Sequence, residues 1–267
     1  MTSLQLAGFG ASIFIGVSLG LLGGGGSILT LPVLVYLLGI NPIVSTVYSL
    51  FVVGTTSLVG SVNYMRQQQV NYKAAMVFSI PSFLAVYLTR NYLLPVIPDP
   101  VLATDAFVLS KDVAIMLVFS VVMLAASVGM IREQTGPDNP AQSAVPFDLP
   151  LIAGDGILVG VLTGIVGAGG GFLIIPALVM LVRLPMKMAV GTSLLIIAAN
   201  TLIGFWSGTA NLPIDWPFLL GFTAFAVLGI LLGTYLTRFI AGNKLKKAFG
   251  WFVLIMGVYI LTRELFL

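Results

Sequence analysis

From Val113 to Ile131 the chain carries no ionised side chain, and from Phe218 to Leu236 it again carries none. Stretches of about 18 or more such residues match the ~30 Å hydrocarbon core of a bilayer. Only 8% of the 267 residues are charged and 58% are hydrophobic, against roughly 25% charged in a soluble domain. So few charges cannot make a water-facing surface, and the expected fold is an all-α integral membrane protein.

The chain has no cysteine and no histidine. Disulfides, thiol nucleophiles, imidazole bases and the usual transition-metal ligands are absent together. No cofactor and no metal are expected, and an intramembrane enzyme would be left with Ser or Asp working beside Lys, a constellation the sequence does not present. The first apolar segment, Leu4 to Leu22, lacks the basic leader of a secretory signal and is read as a permanent part of the fold. The net charge of +3 reflects basic loops and points to no nucleic acid.

Sliding the sequence along itself gives a match at an offset of 144. The run Gly20-Leu-Leu-Gly-Gly-Gly-Gly-Ser-Ile-Leu-Thr-Leu-Pro32 lies over Gly164-Ile-Val-Gly-Ala-Gly-Gly-Gly-Phe-Leu-Ile-Ile-Pro176, and 17 of the 51 ungapped positions from Gly10 to Gly60 are identical. Arg132 to Pro150, broken by four prolines, is the longest polar stretch. The organisation expected is therefore a first membrane repeat (1–131), a cytoplasmic linker (132–150) and a second repeat (151–267). Each repeat divides into five helical segments: 4–22, 27–39, 43–62, 73–93 and 112–131, then 151–167, 171–182, 186–208, 216–238 and 246–265.

Basic residues set the expected orientation. Arg66 and Lys73, Arg183 and Lys187, and Arg238 with Lys244, Lys246 and Lys247 cluster on one side of a ten-segment alternation, which the positive-inside rule makes cytoplasmic. Asp99, Asp105 and Asp215 fall on the other side, with Arg90 and Lys111 as exceptions. Both termini then face outward. An odd number of segments per repeat inverts the second relative to the first, an arrangement found in secondary transporters, where one repeat moves against the other.

The segments after the glycine runs have only 12 or 13 residues, roughly 20 Å of helix and short of the core. No charged turn precedes them. Two re-entrant hairpins (segments 1–2 and 6–7) are expected, entering from opposite faces with glycine tips meeting near mid-membrane. Backbone that is not helical at such depth must be buried in protein or line a wet cavity. Glycine allows tight turns and close approach to a ligand, and the helices starting at Ser27 and Gly171 present N–H groups and a positive dipole end. Gly24, Gly25, Gly26 and Ser27, with Ala168, Gly169, Gly170 and Gly171, are thus candidate ligands of a compact anion. The bland alternative is close helix packing, which is the favoured reading for Gly16/Gly20 and Gly160/Gly164. Gly229/Gly233 suits internal packing or a homodimer equally.

Ser49, Thr56 and Asn63 recur every seven residues on one helix face, with Ser193, Asn200 and Ser207 equivalent in the second half. They either complete an oxyanion shell or bond between helices. Asp155 stands one to two turns into segment six, where an interfacial position is favoured over a functional one. Trp206, Trp216 and Trp251 read as interface anchors.

At these glycine motifs the chain resembles the sulfite exporter TauE/SafE family of permeases. Gly20 to Ser27 with Pro32, Gly164 to Gly171 with Pro176, and Gly191-Thr-Ser193 within Ala189 to Leu194 carry the likeness, which spans nearly the whole chain; Val47-Tyr48-Ser49 keeps only the serine. The resemblance implies movement of sulfite, thiosulfate or organosulfonates across the inner (cytoplasmic) membrane, and it adds Ser49, Thr192, Ser193 and Asn200 to the candidate site. A secondary transporter, working as an exporter, is the expected function. An anion channel of the same architecture and a non-transport assembly factor are the rivals. A homodimer and a coupling proton or cation are compatible with this reading.

Overall fold

A computed structural model describes residues 3–93, 96–98, 102–104, 107–109, 111–132, 149–166, 171–208 and 214–266. Helix α1 (Ser3–Leu22) leads through Gly23 and Gly24 into α2 (Gly25–Pro32), which continues as a π-helical turn over Val33–Leu37. Helices α3 (Pro42–Arg66) and α4 (Tyr72–Leu88) follow, α4 being prolonged by a π turn at Thr89–Leu93. After strands β1 (Leu102–Thr104) and β2 (Phe107–Leu109) come α5 (Lys111–Arg132), α6 (Leu149–Val166) and α7 (Gly171–Pro176), the last extended by a π turn at Ala177–Leu181. Helices α8 (Met186–Gly208), α9 (Trp216–Leu236, closing in a 3-10 turn at Thr237–Phe239) and α10 (Gly242–Phe266) complete the chain.

The all-helical expectation holds, with one short strand pair beside the helices. The strands pair antiparallel, Leu102 with Leu109 and Thr104 with Phe107, in the segment between Asn91 and Lys111. Pro95, Pro98 and Pro100 bar a continuous helix there, and an extended pair is the other way to satisfy backbone groups. The linker from 133 to 148 lies outside the described residues, as do Asp99 and Asp105.

Among the described residues six helical stretches are long and apolar enough to cross a bilayer: Val44–Arg66, Tyr72–Leu93, Val113–Arg132, Met186–Trp206, Trp216–Phe239 and Gly242–Arg263. The apolar stretches of α1 and α6, Ala7–Leu22 and Pro150–Ile165, are shorter. Large apolar side chains stay exposed along one face of α4, where Met76, Ile80, Leu84 and Tyr87 recur at helical spacing. In water such a stripe would be a liability; against lipid it is the expected surface of a multi-pass membrane protein.

Helices cross the sequence halves to find their partners. The closest associations are α1 with α9, α4 with α6, α3 with α8 and α5 with α10. Glycine makes the first two possible. A Cβ on Gly16 would collide with the Ala226 carbonyl oxygen, and one on Gly20 would stand 2.8 Å from the Ile230 oxygen. From the other side, Gly229 faces the Ile13 carbonyl and Gly233 lies with its own added Cβ 2.5 Å from the Val17 oxygen. On α6, Gly156 meets the Phe78 oxygen, Gly160 the Ser82 oxygen and Gly164 the Thr89 side chain. The GxxxG pairs therefore serve packing, and Gly229/Gly233 packs inside the chain, with small residues letting backbones touch as membrane helices require.

Both short helices end alike. A proline has no N–H to give the carbonyl four residues back, and the ladder widens after it. Leu38 N–H donates to Val33 at 3.2 Å and Val182 N–H to Ala177 at 3.1 Å, each five residues back. A left-handed residue then stops the helix: Gly39 at φ +67° in one half and Arg183 at φ +57° in the other. The next amides reach back to close the end, Ile40 to Leu34 at 3.1 Å and Leu184 to Leu178 at 2.9 Å, a Schellman-type stop widened by the π turn. The duplication is thus visible in backbone conformation as well as in residue identity.

Candidate functional site

The first glycine run is a two-residue turn between α1 and α2. Gly23 takes φ +68°, in the region that favours glycine, and its N–H bonds Leu19 at 2.7 Å. Gly24 is the N-cap of α2 and has no side chain to satisfy the helix's first amides. Gly25 opens α2, Gly26 is buried where a Cβ would run into the Ile15 carbonyl oxygen and Leu19 of α1, and Ser27 is the third residue of the helix. Gly26 is thus a packing glycine, whereas Gly23 is a turn glycine.

What lies against that turn comes from the second half. A Cβ on Gly23 would stand 2.8 Å from the Ser193 Oγ, 2.9 Å from the Ile175 Cδ1 and 3.1 Å from the Val190 α-carbon. The structure therefore brings the first glycine turn together with Ser193, whose buried hydroxyl donates to the Val190 carbonyl at 2.8 Å. Gly171 is the buried first residue of α7. Ala168, Gly169 and Gly170 lie outside the described residues, and with them the expected meeting of the two tips.

Other candidates are not gathered at the turn. Helices α3 and α8 run antiparallel, with Gly54 against Thr201 and Leu202, Gly60 against Leu194, and the rings of Phe51 and Phe205 4.9 Å apart. On this ladder Ser193 is level with the Gly60 region and Ser49 with the Phe205 region, about 18 Å apart at 1.5 Å per residue. Ser49 and Asn200 are half-buried. Thr192 is buried and its Oγ1 accepts the Asn71 backbone N–H at 3.0 Å, tying α8 to the start of α4. Gly191 beside it is closed in by the Gln69 carbonyl and Tyr64. The turn at Gly23 also has a level along α8. Resting on Val190 and Ser193, it sits about 6–10 Å from the middle of α8, toward the Met186 end.

Asn63 is used between helices, its amide donating to Thr234 Oγ1 at 2.6 Å. The side chain of Ser207 lies outside the described residues. Tyr64, one residue on, carries weight that its sequence context did not announce: its buried hydroxyl donates to the Gly20 carbonyl at 2.9 Å and lies 3.1 Å from Thr237 Oγ1, so α1 is held to α9 just before the turn. Two tyrosines stand in the apolar helix α3, Tyr48 and Tyr64, and nothing in the sequence singles out the second. Asp155 falls between the buried Ile152 and Val159 on α6 and is half-buried; its Oδ2 has no hydrogen-bond partner among the described residues. No cluster of potential metal ligands occurs among the described residues. Trp206, Trp216 and Trp251 are exposed, as lipid-interface side chains are.

The sequence model of the family described as Sulfite exporter TauE/SafE matches residues 8–260. A probable membrane transporter protein of Xylella fastidiosa (strain 9a5c) is 30% identical over 259 residues, which cover 96% of this chain and 94% of the relative. Probable membrane transporter protein YunE of Bacillus subtilis (strain 168) is 25% identical over 268 residues, 92% of this chain and 93% of its own length. Probable membrane transporter protein MJ0441 of Methanocaldococcus jannaschii is 33% identical over 118 residues, 42% of this chain and 44% of its own. No solved structure matches the chain.

Proposed function

The chain belongs to the sulfite exporter TauE/SafE family, and from that premise we propose that it is a secondary transporter, working as an exporter of small sulfur-containing anions such as sulfite, thiosulfate or organosulfonates across the cytoplasmic membrane. The observation that carries the reading is the contact of the Gly23 turn with Ser193. A non-helical turn rich in backbone N–H groups and buried by both halves has the chemistry of an anion site. The substrate passes between the two glycine-rich turns, along the α3–α8 pair. Because the first turn is displaced from the middle of α8, the binding region is a short corridor rather than a point.

The architecture we propose is two inverted repeats of five segments, the first two of each forming a hairpin. Its support is the way helix partners exchange. Duplication turns α1 into α6 and α4 into α9, so the α1–α9 association becomes the α4–α6 association. The α3–α8 and α5–α10 pairs map onto themselves. A twofold axis in the membrane plane produces that exchange. Both termini then face outward and the linker faces the cytoplasm. The absence of cysteine makes this directly testable with single introduced cysteines and a membrane-impermeant maleimide in intact cells. Labelling at Ser3 and at position 215, with protection at positions 68 and 243, is expected; labelling of the second pair alone would invert the topology.

An inside-negative potential favours anion exit by about 2.3 kcal/mol per charge per 100 mV, so export needs no further energy source. In proteoliposomes under an imposed potential, sulfite, thiosulfate, sulfoacetate, sulfate, chloride and acetate should separate into carried and excluded ions. Saturable flux with counterflow identifies a carrier, and flux that never saturates a channel. Gly25→Val and Gly169→Val in folded protein are expected to abolish it. Failure of every sulfur anion to move in correctly folded vesicles would refute the substrate class.

A further inference from the structure

Thr56 and Ser57 lie within one turn of the middle of α3 and are fully buried, and among the described residues neither hydroxyl has a hydrogen-bond partner. Comparable side chains nearby behave differently. Ser61 on the same helix, and Ser193 and Thr201 on α8, each turn the hydroxyl back onto a carbonyl three or four residues earlier at 2.7–2.8 Å. That local bond is open to any helical Ser or Thr, and a buried hydroxyl left without one is costly. Ser57 follows Gly54 by three residues and so shares the side of α3 that meets Thr201. Thr56 shares the side on which Gly60 and Asn63 meet Ile230 and Thr234 of α9. The two free donors therefore stand at mid-membrane depth where α3, α8 and α9 come together.

Positive charge is missing from that depth. Each of the 12 Lys and Arg residues falls between helices or within the first six or last four residues of one. An anion in the interior thus meets only neutral donors. The cost of dehydrating an ion grows with the square of its charge, so a second charge raises that cost about fourfold. The return from neutral dipoles only about doubles.

We propose that Thr56 and Ser57 donate to a singly charged oxyanion, and that the protein consequently passes monoanions, singly charged organosulfonates and hydrogensulfite among them, while rejecting the dianions sulfate and fully ionised sulfite and, narrowing the wider class proposed above, thiosulfate as well. The inference rests on the transport reading above, and one experiment separates the two. Fluxes of methanesulfonate, sulfite, sulfate and thiosulfate are measured in proteoliposomes at fixed potential across the pH range in which hydrogensulfite ionises. Methanesulfonate flux should be indifferent to pH. Sulfite flux should fall about tenfold per pH unit above that ionisation, and sulfate and thiosulfate should run at least about a hundredfold slower than methanesulfonate. Thr56→Val and Ser57→Ala should each lower subsaturating methanesulfonate flux about tenfold, since a hydrogen bond to a charged group is lost, and Thr56→Ser should largely restore it. Dianions moving as fast as methanesulfonate would overturn the inference and leave the transporter standing. So would Val and Ala variants that carry like the parent while melting higher, the mark of idle hydroxyls. No flux of any sulfur anion would remove the transport reading, and this inference with it. The charge selectivity of the unmodified protein decides the matter should a variant not fold.

Discussion

Leucine in place of Gly16 or Gly229 is expected to separate α1 from α9 and cost the protein about 3 kcal/mol or more, the upper range for overpacking a filled interior. At both positions the obstacle is backbone: Gly16 faces the Ala226 carbonyl and the Ile230 amide, and Gly229 faces the Ile13 carbonyl. A flexible side chain can turn away from an intruding methyl, but a carbonyl inside a helix cannot move without breaking its own ladder. Thermal melting in detergent measures the effect. Gly10→Ala, with nothing within 4 Å, and Gly221→Ala, whose nearest neighbour is Phe9 at 3.6 Å, are controls expected to stay within about 0.5 kcal/mol of the parent. If Gly16→Leu melts with these controls, the two helices do not touch through their glycines.

Substitution of Gly23 should strike transport harder than any other single change in the turn. Two costs combine there. Its φ of +68° charges an ordinary L-residue about 1–2 kcal/mol, and a Cβ would lie 2.8 Å from the Ser193 hydroxyl. Asn tolerates the left-handed region best among side chains, so flux is expected to decline from Gly23→Asn through Gly23→Ala to none in Gly23→Val. Gly39 separates strain from contact, since it has nearly the same φ, +67°, and nothing within 4 Å. Gly39→Ala should therefore transport normally. Arg183 holds the matching place in the second half with a full side chain, which already shows the position to be permissive. A Gly23→Val protein that carries anions at the parent rate would take the turn out of the permeation path.

Much of the helical layout could be read from the chain because its few charges mark helix ends. Arg66 closes α3, Lys111 and Arg132 bracket α5, and Lys187 begins α8. Glycine runs aligned with Pro32 and Pro176 exposed the duplication. Partners were less legible than elements. Gly16/Gly20 announces a close contact but not that Gly229/Gly233 receives it, because a small-residue motif has no complementary code. The strand pair at Leu102–Leu109 is too short for a periodic signal. Arg183 in a left-handed stop contradicts residue preference and needed its neighbour's bond to Leu178 to be seen. Of the candidate site, Ser193 meets the first glycine turn. Thr192 turns out to hold Asn71, since a hydroxyl in an apolar helix serves a backbone donor as readily as a ligand. Thr56 and Ser57 shared a polar pattern with their neighbours, and only the absence of a bond sets them apart.

The interlocked glycines also limit how the molecule can work as a machine. Helix α1 is keyed into α9 and α6 into α4, carbonyl against α-carbon, so neither partner can slide without climbing over the other's ridges. Each keyed pair takes one member from each sequence half. Swinging one half against the other as two rigid jaws would shear both keys at once. Each keyed pair is therefore one stiff body drawn from both halves, and a working motion has to carry the pair as a unit.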